Sequence, residues 1–230
     1  MMKKIKIFAV ALLSILVLGS CSDESGQYAE PLYTNSQKSN AILICLKSSL
    51  DTSIARLCNA DGFSSYKDEL YKLDYKNIQP MMDTLAAHNL GYLNDSLIRH
   101  SNRLAESCGS VVKTTFGSAI DNLVVYDLDK LIKGNSSAIT DYFASMQSGT
   151  LREGLSSQVA IRMGLFKVSE TWEAMQAQYY DIVRKPYSFD VQGYIIEKIV
   201  NGIVEEMRCE EYLIRTDSTH RVAAVEMLAQ

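Results

Sequence analysis

Proline and glycine are scarce, at three and twelve in 230 residues. A β-sandwich or barrel of this size needs more turn formers, so the shortage excludes a turn-rich all-β chain and favours helices. Basic excess is missing too: 23 Lys and Arg face 27 Asp and Glu, which excludes a simple basic nucleic-acid binder. Beyond the N-terminus no apolar run approaches the ~20 residues of a spanning helix. No Cys-x-x-Cys exists, which removes the usual zinc and thioredoxin-like patterns. No Glu-x-x-His pair, nucleophile elbow, HExxH, P-loop or GxGxxG occurs either. No cofactor and no metal site is expected. The apolar share of 47% and charged share of 22% still belong to a folded domain rather than a disordered chain.

The N-terminus carries an address. Lys3, Lys4 and Lys6 precede the apolar stretch Ile7 to Leu18, and Gly19, Ser20 and Cys21 follow. A basic start, a short apolar stretch and small residues form a secretory signal. Twelve residues rise only about 18 Å, too short for a ~30 Å bilayer core. Leu18-Gly19-Ser20-Cys21 looks like a bacterial lipobox, whose cysteine sulfur is lipidated and becomes the mature N-terminus. Residues 1–20 are therefore read as a signal peptide, and Cys21 as the lipidation site. Their removal takes away three lysines and no acid, moving the formal charge from −4 to −7.

Residues 21–39 read as the anchor and a polar tether, roughly 24 Å in random-coil span. Ser22 is similar to outer-membrane sorting signals. Ser22-Asp23-Glu24 also resembles the acidic export signal of surface lipoproteins in the Bacteroides lineage. The expected place is the cell envelope, at the outer rather than the inner membrane, with surface exposure open.

Residues 40–230 read as one all-α domain of seven or eight helices. Leu43, Leu46, Leu50, Ile54 and Leu57 mark a first helix, ended by Asn59-Ala60-Asp61-Gly62. Residues 63–76 are irregular and could hold a short hairpin. A helix near 77–89 has Pro80 in its first turn. Asn94 or Asp95 is expected to cap a helix striped by Leu93, Leu97, Leu104, Cys108, Val112, Phe116 and Ile120. A short helix runs near 126–132. The next starts near Ser136 or Ser137, with a break expected at Ser148-Gly149. Trp172, Met175, Tyr179 and Ile182 mark another, ended by Pro186. A long helix runs from Asp190 to about Ile214, and Asp217 caps a last one, 218–228. Cys45 and Cys58 lie about 20 Å apart on one helix, too far for a mutual disulfide. Cys45, Cys58, Cys108 and Cys209 are read as thiols packed like small apolar residues. The aromatics read as core packing, with an aromatic-lined groove as the rival.

Four stretches carry a family resemblance: Asp61-Gly62-Phe63 after an amphipathic helix; Leu131-Ile132-Lys133-Gly134 with Thr140-Asp141-Tyr142-Phe143; Tyr179; and Asn201-Gly202 with Glu210-Glu211-Tyr212-Leu213-Ile214-Arg215-Thr216-Asp217 and Arg221. From Ala41 to Leu228 the chain resembles a bacterial family, domain of unknown function 4197. The resemblance implies a secreted or lipid-anchored, mostly helical protein and implies no enzymatic activity. Ser218 stands where the family pattern has proline.

The acids of the long helix are the candidate site. At 100° per residue from Ile203, Glu210 falls about 20° away, inside the apolar stripe. A carboxylate there must be paired, because an isolated buried charge costs several kcal/mol. The expected partner is Arg221, then Arg152 or Arg162. Glu211 falls about 80° away and is expected to form a surface pair with Arg215, worth a few tenths of a kcal/mol. Asp217 and His220 stand at i, i+3, but Asp217 is better explained as a helix cap than as a metal ligand. His100 reads as a half-buried, hydrogen-bonded residue. The leading functional reading is a non-catalytic binding or structural module, held at a membrane by its lipid. Its partner is an envelope protein or a small apolar ligand, not nucleic acid. The alternative is a hydrolase-type enzyme with a pocket around Glu210, Arg221 and His220.

Overall fold

The computed structural model describes residues 33–65 and 73–230. Residues 1–32, with Cys21 and most of the expected tether, lie outside the described residues, as does 66–72 within the irregular stretch. The described residues form nine α-helices and three 3-10 segments, with no strand. The all-α reading holds.

Helix α1 spans Asn35–Leu57. It starts inside the expected tether because Thr34 and Gln37 form a reciprocal capping box. Gln37 N–H donates to Thr34 Oγ1 at 3.3 Å, and Thr34 N–H to Gln37 Oε1 at 2.8 Å. The buried stripe is Ala41, Ile42, Cys45, Leu46, Ser49, Leu50, Ser53 and Leu57. Asp61, with φ of 66°, makes the turn into the short α2 (Gly62–Ser65). A 3-10 turn, Lys76–Ile78, leads into α3 (Gln79–Ala87).

The expected single helix after residue 93 is two, α4 (Gly91–Glu106) and α5 (Gly109–Asp121). Gly109 explains the break. It is a poor helix interior residue, and a Cβ there would lie only 3.0 Å from Cys58 Cβ on the α1 side. The apolar stripe survives the break. Asn94 and Asp95 do not cap α4, because the helix has already begun three residues earlier. Asn94 is buried and donates through Nδ2 to the Met82 carbonyl at 2.9 Å.

Asp127 caps α6 (Leu128–Ile132), accepting from Lys130 N–H at 3.0 Å. Helix α7 (Ala138–Leu165) continues through Ser148-Gly149, where a break is expected from sequence. Glycine costs roughly 1 kcal/mol relative to alanine in a helix. The continuous buried face of Ile139, Phe143, Leu151, Leu155 and Val159 outweighs that. Helix α8 (Val168–Val183) ends at Arg184, in the left-handed region two residues before Pro186. Asp190 caps α9 (Val191–Thr216), accepting from Gly193 N–H at 2.8 Å. The last expected helix is instead two 3-10 turns, Ser218–His220 and Ala223–Leu228. The second turn buries Val225 and Leu228 and packs on α1.

Helix α9 is the axis. It packs against α1 on one side and α7 on another, while α5 lies against both α1 and α7. Helices α3, α4 and α8 form a neighbouring group. Buried residues occupy most of the circumference of α9, so its polar residues must each find protein partners or a solvent-facing recess.

Candidate functional site

Helix α9 presents charged residues in three directions. Toward the α6–α7 junction lie Glu211 and Arg215, both fully buried. Arg215 Nε donates to Glu211 Oε1 at 3.0 Å, and Nη2 lies 2.9 Å from the same oxygen. Glu211 accepts from the N–H groups of Ile139 and Thr140 at 3.0 and 2.7 Å. These are orphan donors of the first turn of α7. Arg215 donates onward to the carbonyls of Ile132 and Leu131, at 2.8 and 2.9 Å. One ion pair therefore caps the end of α6 and the start of α7.

This corrects the surface pair expected from sequence. The i, i+4 contact is present, but the α6–α7 turn covers it. A wheel centred on one stripe misses that burial, because α9 is covered on several sides.

The second direction faces α1. Glu210 is buried and meets an arginine from another element, but that arginine is Arg56. Arg56 Nη2 lies 3.4 Å from Glu210, and Nη1 lies 3.0 Å from Glu206. His220 Nδ1 lies 2.9 Å from the other Glu210 oxygen, so the turn after α9 folds back onto it. The expected partners go elsewhere. Arg221 Nη1 is 3.9 Å from Glu226, and among the described residues its buried Nε has no hydrogen-bond partner. Arg152 grips Glu197 at 2.5 and 3.0 Å. Arg162 bonds Gln158 on its own helix. Asp217 accepts from Thr219 N–H at 2.8 Å, capping the 3-10 turn rather than a last α-helix. His100 Nδ1 is 3.0 Å from Thr171 Oγ1.

The third direction opens to a cleft of about 780 Å³ between α7 and α9, within the usual range of small-ligand sites. Its α9 side is Tyr194, Glu197, Lys198, Asn201, Glu205 and Arg208. These positions recur at steps of three and four, roughly opposite Ile203 on the wheel. On α7 the facing side chains are Ala144, Ser148 and Leu151, and on α9 Gly202 also lines the cleft. Short side chains on both helices leave the space open. Asp74, Lys76 and Asn77 close one end.

That end is held in a strained backbone. Tyr75 has φ of 57°, in the left-handed region that non-glycine residues rarely adopt. Its N–H donates to Tyr194 Oη at 3.2 Å, and Tyr194 O–H donates to Asp74 at 3.3 Å. The Tyr75 ring is buried, with its hydroxyl 2.5 Å from Ser101 Oγ. Such local strain persists only where surrounding contacts determine it, and it concentrates at functional sites.

Glu197 and Asp74 in the cleft, and Asp141 beside it, are shifted toward the charged form. The Arg152 hydrogen bond keeps Glu197 below its ordinary pKa. For Asp141, which bonds Arg208 at the rim, burial pushes upward, but Arg208 and Ser137 outweigh it and the net shift is down. Burial likewise opposes the lowering of Asp74, and Lys76 and Lys198 overcome it. Burial pushes Tyr194 up to about 12, so its hydroxyl stays protonated. A carboxylate with a depressed folded pKa contributes stability above its unfolded value, near 4, and loses it as pH falls through the folded value. Burial lowers His100, so some stability is lost as pH falls below its unfolded value near 6.5. The urea midpoint should therefore fall slightly between pH 7 and 5 and more steeply below about pH 4. Equilibrium unfolding at pH 7, 5 and 3 checks this. A midpoint that falls as much between pH 7 and 5 as between pH 5 and 3 would contradict it.

A smaller cavity of about 420 Å³ continues along α9, lined by Ser136, Ser137, Cys209, Tyr212 and Leu213, and shares Glu205 and Arg208 with the first. Sequence reasoning misses Tyr194, Glu197, Lys198 and Arg208 as site residues, and reaches Glu205 only as one of the acids of the long helix. The available signal was a polar stripe at helical spacing on an otherwise apolar helix.

Among the described cysteines, Cys45 and Cys108 are buried thiols, Cys58 is a half-buried one and Cys209 is exposed. Cys209 therefore departs from the expected packing. Burial raises Cys45 and Cys58 to about 12 and Cys108 to about 11. Among the described residues no group of three or more His, Cys, Asp or Glu side chains is placed to hold a metal. No helix among them is long and apolar enough to cross a membrane. The aromatics divide: Phe116 packs on Phe143 and Trp172 on Phe189, while Tyr126, Tyr92 and Tyr212 are exposed.

Fold and site together define an all-α domain built on one long helix, with buried ion clusters on two sides and a polar cleft on a third. The profile of the family described as Protein of unknown function (DUF4197) matches residues 32–227, and the chain belongs to that family. No curated protein and no solved structure matches it.

Proposed function

We propose that the protein is a lipid-anchored binding module of the bacterial cell envelope. Residues 1–20 are a signal peptide, Cys21 carries the lipid, and the segment after it spaces the helical domain from the membrane. Ser22 favours the outer membrane. The observation that carries the binding role is the cleft between α7 and α9, walled by rigid helices and lined by side chains of both charges. The charged side chains along it favour a ligand with polar groups over the small apolar one that the sequence allows, while Leu151, Val200 and Val204 add apolar contact. Replacing Cys21 with alanine should move the protein from the membrane fraction to the soluble fraction. Continued membrane association would overturn the anchor.

A second reading rests on His220 and Glu210, 2.9 Å apart. A carboxylate orienting an imidazole is part of a hydrolase triad. Among the described residues, however, His220 Nε2 has no hydrogen-bonded hydroxyl or thiol, and neither cavity described above is lined by His220 or Glu210. A latch holding the C-terminal turns to α9 accounts for the pair with fewer parts.

A further inference from the structure

We propose that the cleft takes an extended peptide segment of mixed charge; this rests on the binding role above. Three observations carry it. The first is length. The two cavities share Glu205 and Arg208 and together follow α9 from Tyr194 to Leu213. At ~1.5 Å per residue that is roughly 28 Å, and an extended chain rising ~3.3 Å per residue would place about eight residues along it. A single small metabolite would fill only part of such a groove.

The second observation is charge. The larger cavity is lined by Asp74, Glu197 and Glu205 and by Lys76, Lys198 and Arg208. Among the described residues the two signs balance, so neither a polyanion nor a polycation is favoured. Most of these groups are already paired with protein partners: Glu197 with Arg152, Arg208 with Asp141 and Glu205, Asp74 with Lys76. Lys198 is different. Its ammonium lies 5.7 Å over the Tyr194 ring, and among the described residues no hydrogen bond or ion pair holds it. It is positioned to receive a ligand carboxylate.

The third observation argues against a glycan. Sugar sites use open aromatic faces; among the described residues the smaller cavity has the exposed Tyr212, and the larger has one aromatic, Tyr194. Its ring is packed by Tyr75 at 4.7 Å and Phe189 at 5.6 Å, with Lys198 over it. In the larger cavity recognition must therefore run through charge and hydrogen bonds together with apolar contact from Leu151, Val200 and Val204.

Alternate side chains of an extended peptide face opposite ways. A ligand must carry its charges in pairs to show both signs on one face. The probe is the fluorescent octapeptide Lys-Lys-Glu-Glu-Lys-Lys-Glu-Glu, titrated by anisotropy against the full chain in detergent. Octa-lysine, octa-glutamate and a labelled neutral chitohexaose serve as comparisons. The mixed peptide should bind most tightly. Lys198→Ala should weaken it about tenfold, the size of one lost charge-assisted contact. Ser148→Trp, which fills the cleft, should remove binding, with thermal melts confirming that both variants fold. If Ser148→Trp does not fold, Ala144→Leu replaces it as the filling variant.

Chitohexaose binding that is lost in the filled variant, with no peptide binding, would overturn the peptide proposal and leave the cleft's binding role standing. Stronger binding of either single-sign peptide would also overturn the proposal. If no probe binds, or if the filled variant binds as the parent does, both the proposal and the role assigned to the cleft fall.

Discussion

Replacing Arg215 with methionine is expected to destabilise the fold by about 3–5 kcal/mol, the range for removing one partner of a buried ion pair. The effect is large because Arg215 serves three acceptors at once: Glu211 and the carbonyls of Leu131 and Ile132. Methionine fills much of the space but satisfies none of them. Glu211 keeps its two N–H donors from α7, so its charge is not wholly stranded. The two α6 carbonyls lose their side-chain donor. Lysine should not rescue the variant, because one ammonium does not reproduce the planar fork. At a urea slope of ~2–3 kcal/mol/M the midpoint should fall by about 1–2 M. A fall below about 0.3 M would mean that the pair does not secure the α6–α7 junction.

The second large effect is at Arg56. Its guanidinium lies between Glu206 and Glu210, which are 2% and 5% exposed. Arg56→Met would leave two neighbouring carboxylates with little solvent, and only Glu210 would keep the His220 ring. The side chain of Arg56 is itself 32% exposed, so water screens part of the loss. The expected cost is about 2–3 kcal/mol, below that at Arg215. Adding Glu206→Gln to Arg56→Met should restore part of it, since one of the two like charges is then gone. Urea unfolding of the single and double variants checks both steps. If Glu206→Gln further destabilises the Arg56→Met protein, the two carboxylates are not the source of the loss.

The helices were legible where one buried face repeats. Leu46, Leu50 and Leu57 in α1 and Leu151, Leu155 and Val159 in α7 sit at steps that only a helix brings to one side. Boundaries failed where tertiary contact decides them. Gly149 lies inside α7 because the buried stripe continues past it, whereas Gly109 marks a break where α5 comes close to Cys58. The inward position of Glu210 was also legible, because one angle on one helix sets it.

Partner identity was not legible. Arg56 is 154 residues away from Glu210, and no local pattern links them. The burial of Glu211 depends on the α6–α7 turn, and the cleft depends on how α7 and α9 diverge. These are products of helix packing. The stripe Tyr194, Lys198, Asn201, Glu205 and Arg208 was visible, but on a single helix it is indistinguishable from a solvated face.

Helix α9 thus uses charged residues in two ways. Glu211 and Arg215 are closed off and hold the domain together; Glu205 and Arg208 pair with each other on the wall of an open cleft, where solvent reaches them. Double-mutant cycles on the two pairs, read by urea unfolding under one set of conditions, measure this division most directly. Glu211–Arg215 should show a coupling above about 2 kcal/mol, and Glu205–Arg208, about one third exposed on both sides, below about 1 kcal/mol. Equal couplings, or a larger one at the cleft, would contradict the separation of a structural face from a binding face.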